Sequence, residues 1–259
     1  MALVNENSSA IQDIIAHDAI FMLEYQRTLR GKEQIHEYYT LLFSDQKIHT
    51  LKSEVSETIV LGDYIIEIGV FSKEFNRSDL GKPLQHEGKF WRIWRKNNTR
   101  LQLFAYAEGY HRELRPEEFT VIDSGISPEK TTNLELRAYA ALGEKAIKEW
   151  DPETRIELYA HDAIFYPFAD SAKVGIEVLK PYLRSYHRPG VQIDHIKGVP
   201  FEFIDLQDYI IQFSTFEVDW RFKDMSGTNK GKGMRLWQRQ EDCSLKIYRH
   251  IGLHNYINP

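Results

Sequence analysis

The sequence predicts an α+β protein made of two tandem copies of one domain, and three observations predict it. The hexapeptide AHDAIF stands at residues 16–21 and again at 160–165, and the residues downstream of the two copies stay in step. Gly31 of RGKEQIHEYY falls on Gly175 of VGIEVLKPYL, GDYIIEIGVF (62–71) on QDYIIQFSTF (207–216), and GKFWRIWRK (88–96) on GKGMRLWQR (231–239), with Trp94 on Trp237. The closing stretches LQLFAYAEGYH and LKIYRHIGLH end in His111 and His254. The offset drifts only between 143 and 145, as expected when loops vary and elements do not. Second, helical periodicity precedes strand-like runs in each copy, a grouping that marks α+β rather than parallel α/β chains. Third, 259 residues leave about 130 per copy, enough for each to bury its own core.

The elements are read most easily in the second copy. TTNLELRAYAALGEKAIKEW (131–150) places Leu134, Ala138, Leu142, Ala146 and Trp150 four apart, which predicts an amphipathic helix. Asp151 and Pro152 supply the cap and first position of a second helix, expected to stop near His161 and Asp162, where AIFYPF becomes extended. A short third helix is expected around Gly175 to Tyr186, with Pro181 limiting where it starts. FEFIDLQDYIIQFSTFEVDWRF (201–222), dense in aromatic and β-branched residues, reads as a strand pair turning at Leu206–Asp208. GKGMRLWQR and LKIYRHIGLH complete an antiparallel meander across a polar turn at Gln240–Ser244. The first copy has only about fifteen residues before AHDAIF and so lacks the long first helix. The expected division is repeat 1 at 1–112, a linker at 113–130 and repeat 2 at 131–259. His17 and His161 each precede an Asp at an expected helix end, where they suit the helix dipole and the turn rather than a site.

Composition narrows the function classes. A net charge of −5 with interspersed basic residues argues against nucleic acid as a partner. The single Cys243 excludes an intrachain disulfide framework and a multi-thiolate zinc site, and suits a reducing compartment. With no long apolar run, the expectation is a soluble, cytoplasmic protein without a membrane partner. Dispersed histidines, no HExxH, no Gly-rich phosphate loop and no nucleophile elbow lead to an expectation of no metal and no cofactor.

The order of AHDAIF, a Gly-led short helix, GDY at a hairpin turn, GK…W on a strand and a final strand ending in His resembles the SnoaL-like branch of the nuclear-transport-factor-like superfamily, once per repeat and over nearly the whole chain. The resemblance implies two cone-shaped (cystatin-like) barrels, each a curved antiparallel sheet wrapped on helices around an apolar pocket. Polyketide cyclases, ketosteroid isomerases, dehydratases and non-catalytic pocket proteins share that fold, so fold alone does not give function. Two readings follow: a cofactor-independent acid–base cyclase, isomerase or dehydratase acting on a small, mostly apolar metabolite, or a non-catalytic small-molecule-binding or scaffold protein. Isomerases of the family carry their base two positions after DAIF, where this chain has Leu23 and Pro167, and that counts against ketosteroid-type isomerisation.

Acid–base work needs a His or carboxylate tuned by apolar surroundings. On the last strand a period of two places Lys246, Tyr248 and His250 on one face, and the resemblance favours the Tyr248 and His250 face as the inner one. Asp219, on a face with Thr215, Glu217 and Arg221, would orient His250 if that face looked inward; if outward, these are solvated charges. The expected catalytic residues are therefore His250, Asp219 and Tyr248. The expected pocket residues are Phe104, Tyr106 and Glu108 on the matching face of repeat 1, His86 and Glu87 of LQHEGKFW, where dehydratases use a His on the comparable strand, and Met234. Family single domains commonly pair through their sheets, so the two repeats are expected to form an intrachain pseudo-twofold pair, with Trp94 and Trp237 either on the contact surface or packed in the cores, compatible with further homo-oligomerisation.

Overall fold

The structure is a computed structural model that describes residues 8–98, 100–122, 125, 133–186 and 188–256. The chain divides into two compact units, unit 1 comprising Met1–Pro128 with Phe168–Asp170, and unit 2 comprising Glu129–Pro167 with Ser171–Pro259.

Unit 1 runs α1 (Ser8–Ile14), β1 (Ile15–Leu23), β2 (Leu29–Arg30), α2 (Lys32–Asp45), β3 (Gln46–Leu61), β4 (Tyr64–Arg77), β5 (Leu84–Asn97) and β6 (Arg100–Tyr110), followed by a 3₁₀ turn at Pro116–Glu118. Unit 2 runs α3 (Leu134–Lys148), α4 (Pro152–Glu157), β7 (Tyr159–Tyr166), β8 (Lys173–Val174), α5 (Ile176–Ser185), β9 (Val191–Asp205), β10 (Tyr209–Phe222), β11 (Met225–Arg239) and β12 (Leu245–His254). Each unit carries a six-stranded sheet in the same order, β2-β1-β6-β5-β4-β3 and β8-β7-β12-β11-β10-β9. The long hairpins pair antiparallel, while β1 meets β6 and β7 meets β12 in parallel. Two copies of one mixed α+β fold therefore stand in tandem.

The repeated hexapeptide belongs to the strands β1 and β7, not to a helix end as the sequence suggested; α4 stops at Glu157. Its small residues explain its recurrence. Ala19 and Ala163 are wholly buried, and their carbonyls accept the amides of Gly31 and Gly175, each at 2.8 Å. Those glycines open α2 and α5 at φ 86° and 79°, a left-handed setting that a side chain disfavours. His17 is exposed on β1, and Asp18 forms a two-pronged ion pair with Arg95 at 2.6 and 3.0 Å.

The amphipathic face of α3 is not the expected one. Leu136 and Ala146 are buried and Tyr139 packs on the same core, while Leu134 and Leu142 are exposed. A spacing of four overshoots a helical turn by about 40° per step, so a stripe begun at Leu134 winds off the face. The start of that helix at residues 131 and 132 lies outside the described residues, as do residues 123, 124 and 126–130 of the expected linker. The segment after β6 stays on unit 1: Phe119 stacks on Tyr25 at 4.1 Å, and Gln26 holds Thr120 and Ile122 through its two amide atoms. Among the described residues no helix is long and apolar enough to cross a membrane.

Candidate functional site

One break in regularity, made twice, decides which side chains face inward. Opposite Ile93 and Trp94, β6 places Ala105 and Leu103 and skips Phe104; opposite Leu236 and Trp237, β12 places Arg249 and Ile247 and skips Tyr248. A β-bulge of this kind leaves one residue unpaired and resets the alternation. Phe104 and Tyr248 consequently turn outward to Tyr64 and Tyr209, each pair of rings 6.0 Å apart. Tyr248 thus does not share a face with His250, nor Phe104 with Tyr106 and Glu108, because the extra residue cancels the period of two.

The inner face can then be read as cross-strand rungs. In unit 1 the first rung is Glu67–Arg92–Tyr106–Phe21 and the next is Gly69–Phe90–Glu108. In unit 2 the same rungs are Gln212–Arg235–His250–Phe165 and Ser214–Gly233–Gly252. The scaffold is shared and the side chains differ.

Unit 1 fills its own interior. Phe90 is fully buried and lies across Gly69, where a Cβ would come within 2.8 Å of the ring. Trp94 donates to Glu67 at 2.9 Å, and Arg92 lies 3.9 Å from the same carboxylate. Glu108 accepts from the Tyr106 hydroxyl at 2.6 Å and from Lys73 at 3.1 Å, with Tyr110 a further partner of the ammonium at 3.3 Å. Burial opposes the Lys73 charge, yet Glu108 and the phenol oxygens of Tyr110 and Tyr38 hold its pKa above the ordinary lysine value. His86 also faces inward, edge-on to Phe75 and Tyr110, with both ring nitrogens enclosed and unpartnered. Burial, then Lys73, pushes its pKa down to about 3, so it is a neutral ring. Glu87, its neighbour on β5, is exposed on the other face.

Unit 2 is hollow where unit 1 is full. Glycines at 233 and 252 replace Phe90 and Glu108, and a small open cleft with a cavity volume of about 40 Å³ lies over them between α3 and the sheet. Ala140, Pro200 and Phe216 form apolar walls, while Gln212, Arg235 and His250, with Ser214, Thr215 and Lys232, supply the polar ones. Trp237 donates to the Gln212 oxygen at 2.5 Å, as Trp94 does to Glu67, so both indoles bond within their own sheets, and Trp237, 2% exposed, packs in the core of unit 2. The Gln212 nitrogen is buried without a partner.

Arg235 has no counter-ion. Its Nε is enclosed and unpartnered, and no carboxylate among the described residues pairs with the guanidinium. Burial lowers its pKa, Tyr159 works the other way, and Arg155 of α4 adds to the lowering. Arg155 is itself stacked on Tyr186 at 4.8 Å, with one Nη buried and unpartnered. His250 lies flat on Phe165, centroids 4.5 Å apart, and its Nδ1 meets the Tyr159 hydroxyl at 2.9 Å. Burial raises the Tyr159 pKa, so the phenol keeps its proton and is held against the His250 ring. Burial first, then Arg235 and Arg155, hold the His250 pKa well below its usual value.

The other expected site residues are elsewhere. Asp219 lies seven residues beyond Gln212 along β10, roughly 23 Å from the His250 rung, and alternates with inward Phe216 and Val218, so it points away from the pocket. It accepts from Thr228 and stands 3.7 Å from His195. His195, Glu217 and Asp219 bring ligand atoms within 4.8 Å of one another, but Lys230 already pairs with Glu217 at 2.8 Å. No Asp219–His250 dyad forms. Met234 is fully buried but sits between Gly233 and Arg235 on the strand, so its side chain is on the opposite face, against Phe213 and Ile251. Sequence reading missed Arg235, Arg155 and Gln212. The signal was available in the aligned repeats, where Glu67 falls on Gln212 while Arg92 falls on Arg235.

No protein-family model matches the chain, and no curated protein does. Among solved structures, a ketosteroid isomerase-like protein from Erwinia carotovora atroseptica matches 49% of this chain over 100% of its own length, at 20% identity and TM-score 0.42. An NTF2-like protein from Cytophaga hutchinsonii matches 48% over 99% of its length, at 14% identity and TM-score 0.37. A nuclear transport factor 2 superfamily protein from Salmonella enterica serovar Typhimurium matches 46% over 87% of its length, at 14% identity and TM-score 0.39. What this chain is similar to, along about half its length at a time, is the ketosteroid isomerase-like and NTF2-like proteins.

Proposed function

We propose that unit 2 is a small-molecule-binding pocket and that unit 1 is a copy whose own side chains occupy the corresponding space. The observation that carries this is the second inner rung, Gly69–Phe90–Glu108 in unit 1 against Ser214–Gly233–Gly252 in unit 2. A concave site with apolar walls and a few convergent polar groups is the usual form of a ligand site. The acid–base reading has less support. Its base would be His250, which would have to become cationic beside Arg235 and Arg155, and its orienting carboxylate, Asp219, is on the other face of the sheet. The pocket offers donors in place of a base, which suits binding and polarisation more than proton abstraction.

The test is a backbone-amide NMR titration of the full chain with a set of small neutral and charged fragments. Binding shifts are expected to gather on Gly233, His250 and Gly252. Shifts of equal size around Phe90 and Glu108, or none in unit 2, would overturn the proposal.

A further inference from the structure

Resting on the reading of unit 2 as the binding copy, we infer that its ligand is a carboxylate with a flat apolar body, the carboxylate held by Arg235 and the Gln212 amide with Arg155 reinforcing the charge. The unsatisfied polar atoms of the pocket lining are donors: Arg235 Nε and Gln212 Nε2 are enclosed without a partner, as is Nη1 of Arg155, which does not line the pocket but whose charge acts on Arg235. His250 has Nδ1 taken by Tyr159, which leaves only Nε2 for a ligand. A buried guanidinium without a counter-ion is costly, and an anion entering the pocket removes that cost.

Unit 1 shows what satisfies this geometry. There the equivalent arginine, Arg92, stands beside Glu67, and a second carboxylate, Glu108, sits on the next rung within the fold. Unit 2 replaces Glu67 with a neutral amide while the arginine stays; Glu108, which pairs with Lys73 in unit 1, gives way to glycine as Lys73 gives way to Val218. The body of the ligand follows from the floor: Gly233 and Gly252 face each other across β11 and β12 without side chains, leaving a flat surface beside Phe216 and Pro200. A planar ring fits such a floor.

The probes are benzoate, its neutral isostere benzamide and the cation benzylamine, titrated by NMR against the full chain and three variants. Benzoate is expected to bind unit 2 at about millimolar strength, as fragments of this size do, and about tenfold or more tighter than benzamide. Arg235→Met is expected to abolish that preference while melting no lower than the parent, since it removes an unpaired buried charge. Gly252→Glu supplies an internal anion at the position of Glu108, at a site where a Cβ meets nothing nearer than 3.7 Å. It is expected to exclude benzoate and to melt above the same-sized Gly252→Gln, and it carries the test if Arg235→Met does not fold. Equal binding of benzoate and benzamide, or equal melting of the two Gly252 variants, overturns the carboxylate inference and leaves the pocket reading standing. If none of the three probes shifts unit 2, both fall.

Discussion

Gln212→Glu asks whether one substitution can restore in unit 2 the charge balance of unit 1. The new carboxylate would occupy the rung position of Glu67, keep the indole donor of Trp237 and face Arg235. With the 3.9 Å separation of Arg92 and Glu67 as a guide, the attraction at an effective dielectric near 20 is about 4 kcal/mol. Taking the carboxylate out of water cancels roughly half or more of that, and the cost is greater here because Gln212 is only 1% exposed. A net gain of about 1–2 kcal/mol remains, or about 3–8 °C in the melting temperature of a unit of this size. The gain requires an ionised carboxylate, so it is complete above the ordinary glutamate pKa of about 4.3 and is lost as pH falls through the lower folded value. Calorimetric melting at pH 7 and about pH 2.5 measures both effects. Melting at or below the parent temperature at pH 7 would refute the idea that Arg235 lacks a counter-ion.

Three further outcomes are expected. Glu108→Gln leaves Lys73 and two tyrosines around an uncompensated ammonium and should cost about 2–4 kcal/mol in denaturant unfolding of unit 1, whereas a loss below about 0.5 kcal/mol would show the cluster to be solvated. His250 has a folded pKa below its unfolded value near 6.5, so its contribution is complete above that pH and is lost as pH falls toward the folded value. Its imidazole resonances should therefore stay those of the neutral ring down to pH 5, and titration near pH 6.5 would contradict the burial described. Gly175→Ala meets no neighbour within 4 Å, so its cost is the backbone strain at φ 79° alone, about 1 kcal/mol by denaturation.

The fold was far more legible in the sequence than the site. Duplication, element grouping, the α5 helix led by Gly175 and the turn before Tyr209 could all be read, because hydrophobic period and turn chemistry are local signals. On the last strand of each copy the face assignments failed for one reason. Nothing in LKIYRHIGLH marks Tyr248 as the residue left out of the ladder, and a single unpaired residue reverses the expected direction of its side chain. Asp219 was attractive as a partner for His250 by residue type, but its distance along β10 depends on hairpin register, which only the folded sheet sets. Arg235 was passed over because an arginine on a strand is usually solvated. Only its pairing with Gln212, where the other copy has a glutamate, makes it unusual.

The bulge at Tyr248 and Phe104 has a consequence for how these strands tolerate length changes. Elsewhere in a β-strand, losing one residue inverts every side chain beyond the lesion. Here Ile247 faces in, Tyr248 and Arg249 both face out, and His250 faces in again, so excising Tyr248 would leave plain alternation and keep His250 over the pocket. The final strand thus contains one spot that is silent to a frame error, next to the residues that matter most, and the other copy holds the same spot at Phe104.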